Sequence, residues 1–146
     1  KPLLAYNIEV DGPHTFFANG VAVHNKGGCF LAGTMVQTPI GAMDIKNIRE
    51  GEYVYSFDSS GNVHLSRIAV KYSLARDSYY HIESTGGFSV DVTAEHPFLS
   101  EKKYIEAKDL KAGDTVFALG QAANSMIKEK IISIKLVEKP VIVYNL

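Results

Sequence analysis

A chain of 146 residues, 46% of them hydrophobic, is long enough to bury one real core and reads as a single globular domain. A net charge of −1 and a pI near 6.6 leave no electrostatic footprint for nucleic acid or acidic lipid. No apolar run approaches the roughly 18 residues of a membrane span, no signal-peptide pattern opens the chain, and cellular location is not legible. A first residue of Lys1 rather than Met is expected of a processing boundary.

In chain order, the apolar stretch Val21-Ala22-Val23 predicts a short strand, with Asn19-Gly20 before it as a turn. Asp44–Arg49 predicts about one turn of helical or 3₁₀ character. Strands are then expected over Glu52–Phe57 and Val63–Tyr72, divided by the turn residues 58–62. Ser78–Glu83 and Phe88–Thr93 follow, joined through Gly86-Gly87 as a tight hairpin. Glu106–Lys111 predicts a second helical turn, and Thr115–Leu119, Lys130–Val137 and Pro140–Leu146 predict closing strands. Short β-branched and aromatic stretches with turn punctuation place the chain in the all-β class.

Two internal repeats refine this. At an offset of 62 (45 to 107), residues 45–54 align without gaps on residues 107–116. Each copy reads as a short turn, a Gly followed by an acidic residue, and a strand, which predicts two similar β subdomains related by a pseudo-twofold. Continued backwards, that offset pairs Thr34 with His96. A second repeat matches Lys1–Ile8 with Lys139–Leu146, sharing Lys, Pro, Tyr and Asn. The chain therefore reads as slightly more than one period of a tandem array, or as a permutant. The two copies are expected to compete for one groove, leaving one frayed or exchanged between molecules in a strand-swapped assembly.

The chemistry concentrates in residues 24–29. Asn25 can cut its own peptide bond by cyclising, and Cys29 can convert the Gly28–Cys29 bond into a thioester. Only Lys26-Gly27-Gly28 lies between them. Cys29 is the sole cysteine, which excludes an internal disulfide and a CxxC metal site. Self-cleavage is the reaction such a juxtaposition suggests.

These segments together resemble the Hint superfamily of inteins, bacterial intein-like domains and hedgehog autoprocessing domains, in rotated order. The stretch from Cys29 to Asp58 is similar to the first intein block, DVTAEHPFLS with Thr93 and His96 to the second, and Tyr6–Asn25 to the two closing blocks. The resemblance implies one Hint domain over residues 1–146: closing blocks at 1–25, a linker at 26–28, opening blocks and body at 29–146. It implies a horseshoe-shaped, all-β fold with pseudo-twofold symmetry. A three-residue linker reaches about 10 Å extended, which suits ends that share one site.

By that resemblance Cys29 is the first nucleophile, attacking the Gly28 carbonyl in an N–S acyl shift. His96 is the acid/base for the leaving nitrogen and Thr93 polarises the scissile amide. Asn25 would cyclise to a succinimide and release Lys26, assisted by His24 and His14. The substrate is the domain's own flanking polypeptide, and the chemistry needs no cofactor or metal. His64 and His81 match no motif and read as surface or strand histidines.

Two departures stand out. Lys26 occupies the place where splicing inteins carry Cys, Ser or Thr, so ligation is expected to fail and leave separate cleavages. Asn7 replaces the Asp of many closing blocks, which weakens coupling between the steps. No room exists for an endonuclease insertion. A cleavage-impaired Hint domain serving as a structural or interaction module, and a Cys-His hydrolase acting in trans, are the alternative readings.

Overall fold

The computed structural model describes residues 3–12, 14–24, 28–101, 103–120 and 125–138. Its secondary structure is strand and turn almost throughout. The strands are β1 (Leu3–Val10), β2 (Thr15–Ala18), β3 (Val21–His24), β4 (Phe30–Leu31), β5 (Met35–Thr38), β6 (Gly41–Asp44) and β7 (Tyr53–Phe57). They continue with β8 (Val63–Arg76), β9 (Tyr79–Ser84), β10 (Ser89–Val92), β11 (Pro97–Ser100), β12 (Lys103–Glu106), β13 (Thr115–Leu119) and β14 (Met126–Val137).

All pairings are antiparallel, in the spatial order β6-β5-β2-β3-β13-β14-β9-β10-β4-β1-β8-β7, with β11 branching from β3 and β12 from β11. The sheet bends back on itself. Thr15 Oγ1, on β2, lies 2.7 Å from Ser56 Oγ, accepts from Phe57 N–H (2.9 Å) and lies 2.7 Å from Phe57 O, so β7 at one end clasps β2 near the other. Phe16, Ile8, Val23, Phe30, Ile68 and Phe98 are fully buried in the core this encloses. The residues before Cys29 are not an appendage. β1 sits between β4 and β8, and β2 and β3 sit between β5 and β13.

The pseudo-twofold is written in hydrogen bonds. Ile45 N–H donates to Thr34 O and Ala107 N–H to His96 O; Gly51 N–H donates to Ile68 O and Gly113 N–H to Ile131 O. Thr34 N–H donates to Leu31 O and His96 N–H to Thr93 O, each at 3.2 Å. The side chains repeat as well. Glu52 Oε1 accepts from Arg49 N–H, as Asp114 Oδ2 accepts from Lys111 N–H.

Several boundaries differ from expectation. β8 continues four residues past Tyr72 because β1 pairs with it as far as Leu3↔Arg76. β14 begins at Met126 rather than Lys130, extended by its pairing with β13. The Glu106–Lys111 turn is a 3₁₀ turn at Ala107–Asp109. Asp44–Arg49 is an irregular turn with the single bond Asn47 N–H to Asp44 O. There Asp44 Oδ1 accepts from Gly33 and Lys46 N–H, and Lys71 Nζ donates to Lys46 O and Ile48 O, so the carbonyls find partners without a helix. Turn 58–62 forms around Asp58 Oδ1, which accepts from Ser60 and Asn62 N–H. The predicted strand Pro140–Leu146, and with it the competing copy of β1, lies outside the described residues.

Candidate active site at Cys29

Three elements converge on one corner. β4 begins at Phe30, whose partners are Tyr6 on β1 and Val92 on β10, so Cys29 enters between those strands. The turn Thr93–His96 leaves β10 and delivers His96 to the head of β11. β3 ends at His24, one residue past the Val23↔Phe98 pair that ties it to β11. Sequence-distant Cys29, Thr93 and His96 are thereby brought together.

Cys29 and Thr93 grip each other twice. Cys29 N–H donates to Thr93 Oγ1 at 2.7 Å, and Thr93 N–H donates to Cys29 O at 2.9 Å. The Thr93 hydroxyl donates in turn to Glu95 Oε1, a long bond at 3.4 Å. Glu95 is held by Arg76 Nη2 at 2.8 Å, with both side chains 37% exposed. Arg76 and Glu95 were not among the residues expected at the site. Glu95 lies inside the TAEH motif, so its position was visible; Arg76 is contributed by the extended end of β8.

His96 is 0% exposed. Its ring centroid lies 4.2 Å from Phe30, 6.3 Å from Phe98 and 6.5 Å from Phe16. Desolvation by this aromatic wall, with a smaller contribution from the charge of His24, holds its pKa down to about 3. The Gly28 backbone pulls the other way without reaching hydrogen-bond geometry: neither Nδ1 nor Nε2 has a partner among the described residues. An unpartnered buried imidazole is costly, and such orphans mark groups kept for chemistry. Cys29 is equally buried. Desolvation pushes its thiol up to about 12, opposed by Arg76 and reinforced by Glu95. Both groups are therefore neutral at physiological pH.

The remaining expected residues are placed unevenly. His24 is half-buried, with its ring 5.0 Å from Tyr104 and 6.4 Å from the ring of exposed His14. A cleft of about 790 Å³ adjoins it, lined by His24, Thr15, Phe57, Leu99, Tyr104 and Phe117. Cys29 and His96 are not on its wall. Asn25 and Lys26 lie outside the described residues. Asn7 is buried beside the site: its Oδ1 accepts from Ile8 N–H and its Nδ2 donates to Tyr72 Oη at 3.0 Å. Burial raises the Tyr72 phenol, and the neighbouring Cys29 adds to that. His81, on β9, pairs with Asp91 at 2.6 Å, and His64 lies on β8.

Solved structures share this architecture. The solution structure of a bacterial intein-like domain from Clostridium thermocellum superposes with a TM-score of 0.66 and 25% identity, covering 78% of this chain and 79% of that one. The TvoVMA intein gives 0.61 at 19% identity over 87% and 83% of the two chains. The gp41-1 intein gives 0.60 at 24% over 77% and 81%. A probable translation initiation factor IF-2 of Pyrococcus furiosus is 33% identical over 73 residues, 49% of this chain; the chain spans 7% of that relative's length. The profile of the Pretoxin HINT domain family matches residues 35–146, more than half of a chain whose fold is that of an intein-like domain, and the chain belongs to that family.

Proposed function

We propose that this domain cleaves its own polypeptide, once, at Gly28–Cys29 and at Asn25–Lys26. The observation that carries the reading is the doubly bonded Cys29–Thr93 pair beside an unpartnered, buried His96. In the first step Cys29 Sγ adds to the Gly28 carbonyl carbon. The C–N bond then breaks, and the thiol proton finishes on the Cys29 amine, leaving a thioester. Thr93 Oγ1, as acceptor of the Cys29 N–H, keeps electron density on the departing nitrogen. His96 relays the proton, and the burial that lowers its pKa makes its imidazolium a readier acid. In the second step Asn25 Nδ2 attacks its own carbonyl carbon, closing a succinimide and releasing the Lys26 amine. His24, with His14 behind it, stands on the strand leading to Asn25.

The rotated order, closing blocks 1–25 before opening blocks 29–146, is part of this proposal. It is supported by β1, β2 and β3 occupying interior places in the sheet. With Lys26 after Asn25, no neighbouring thiol or hydroxyl accepts the acyl group, so cleavage rather than ligation follows. Full burial of the Cys29 thiol favours a second reading, a domain held closed in which scission is suppressed. Intact mass separates them. Incubation with dithiothreitol yields fragments 1–28 and 29–146, and Cys29→Ala abolishes that scission. An unchanged mass with and without thiol supports the closed module instead.

A further inference from the structure

We propose that the acyl group transferred to Cys29 is restricted to glycine, because the space at position 28 is closed to any side chain. This rests on the reading of Gly28–Cys29 as a scissile bond. Gly28 is buried with φ +75, and a Cβ there would lie 2.7 Å from His96 Cα and Cβ and 2.8 Å from His96 N. Among the described glycines it is the one whose Cβ would come within 3 Å of backbone atoms; at Gly20 and Gly86 the atoms that close are side-chain atoms.

His96 cannot retreat. Its N–H donates to Thr93 O, its carbonyl accepts from Ala107 N–H at 2.9 Å, and its ring is packed among Phe16, Phe30 and Phe98. A side chain at 28 must instead push its own backbone away. That moves the Gly28 carbonyl carbon off Sγ and lifts Cys29 N–H from Thr93 Oγ1. Positive φ alone does not explain this, since Gly87 has φ +82 with nothing within 4 Å of its Cβ. The substrate class is thus a polypeptide segment ending in glycine. The transfer is an isomerisation that needs no co-reactant: S–C forms, C–N breaks, and the proton passes from sulfur to nitrogen.

The test compares Gly28→Ala and Gly28→Ser with Gly87→Ala, which carries the same backbone cost without the collision. Dithiothreitol-dependent scission is followed by intact mass, and each variant is melted. Gly87→Ala is expected to cleave at nearly the parental rate, and both Gly28 variants about 100-fold more slowly, the scale of a displacement near 1 Å. A Gly28→Ala protein that melts below the assay temperature while Gly87→Ala stays folded also supports closure of the site. Parental-rate scission by a folded Gly28→Ala overturns it. If the unsubstituted protein does not cleave with thiol, the scissile-bond reading fails. The melts then decide the steric claim, and equal shifts in Gly28→Ala and Gly87→Ala overturn that too.

Discussion

Cys29 and Thr93 exchange hydrogen bonds in both directions, backbone to hydroxyl and backbone to backbone, across 64 residues of sequence. The second bond belongs to the fold and survives any substitution of the Thr93 side chain except proline. The first belongs to the site. Thr93→Val therefore removes the acceptor of the Cys29 N–H while keeping shape, and leaves a buried donor unpaired. Stability should fall by about 1–3 kcal/mol, and thiol-dependent scission by roughly 10²–10³. Thr93→Ser, which keeps the oxygen, should recover most of the rate. Equal rates in Val and Ser variants would remove the hydroxyl from the mechanism.

The Arg76–Glu95 pair tunes the thiol from outside the core. Arg76 lowers the Cys29 pKa and Glu95 raises it. Glu95→Gln should shift the pH profile of thiol-dependent scission to lower pH, and Arg76→Gln should shift it higher. Both side chains are more than a third exposed, so melting should move by less than about 1 kcal/mol in equivalent stability. Shifts of the same sign in both variants would show that the pair acts only through packing.

Stability should fall off at both ends of the pH scale. His96 titrates near 3 when folded and near 6.5 unfolded, so below pH 6.5 the unfolded chain binds the extra proton. The neutral imidazole's stabilisation is present above pH 6.5 and is lost progressively towards pH 3, by about 4–5 kcal/mol in the limit. Cys29 is raised from 9.0 to about 12, so its unfolded form releases a proton first and stability declines above pH 9. Denaturant melts across pH should show the acid limb shallower in His96→Gln and the alkaline limb shallower in Cys29→Ala. Parallel curves for all three proteins would contradict both assignments.

Asn25→Ala should end scission before Lys26 without slowing thiol-dependent scission before Cys29. His24→Ala should slow the former more than the latter, because His24 stands at the end of β3, one residue before Asn25, while it is His96 that packs against Gly28. When both bonds break, mass spectrometry should find Lys26-Gly27-Gly28 as a linear tripeptide, since a ring of three trans peptides is severely strained. Cleavage of Asn25→Ala at the same bond and rate would exclude cyclisation.

Residues 3–8 hold the place between β4 and β8, so their copy at 141–146 should be dispensable. Deleting 140–146 should leave melting temperature and light-scattering mass unchanged. A fall of several kcal/mol in a strict monomer would give the second copy its own place in the fold.

What could be read in the residues was local or repeated. Thr115–Leu119 was bounded correctly because turn residues flank it on both sides, and the 45/107 repeat anticipated the paired hydrogen bonds of the two halves. Cys29, Thr93 and His96 were grouped by motif resemblance, not by pattern. Arg76 escaped because its reach to Glu95 depends on β8 being drawn out by β1, a pairing from the other end of the chain. The obstruction at position 28 escaped as well. A Gly-Gly pair announces unusual backbone angles, but only the packed turn shows which glycine has a backbone pressed against it.

The turn Leu31–Thr34 repeats two backbone bonds of the turn Thr93–His96, the one that closes it and the one its last carbonyl accepts, with Leu31 and Thr34 in place of Thr93 and His96. The molecule thus carries its own blank. A perturbation of the backbone common to both turns, read by hydrogen exchange at Thr34 and at His96, reports on the scaffold at two places. Any difference between them reports what is particular to the turn packed against Gly28, and no second protein is needed as the reference.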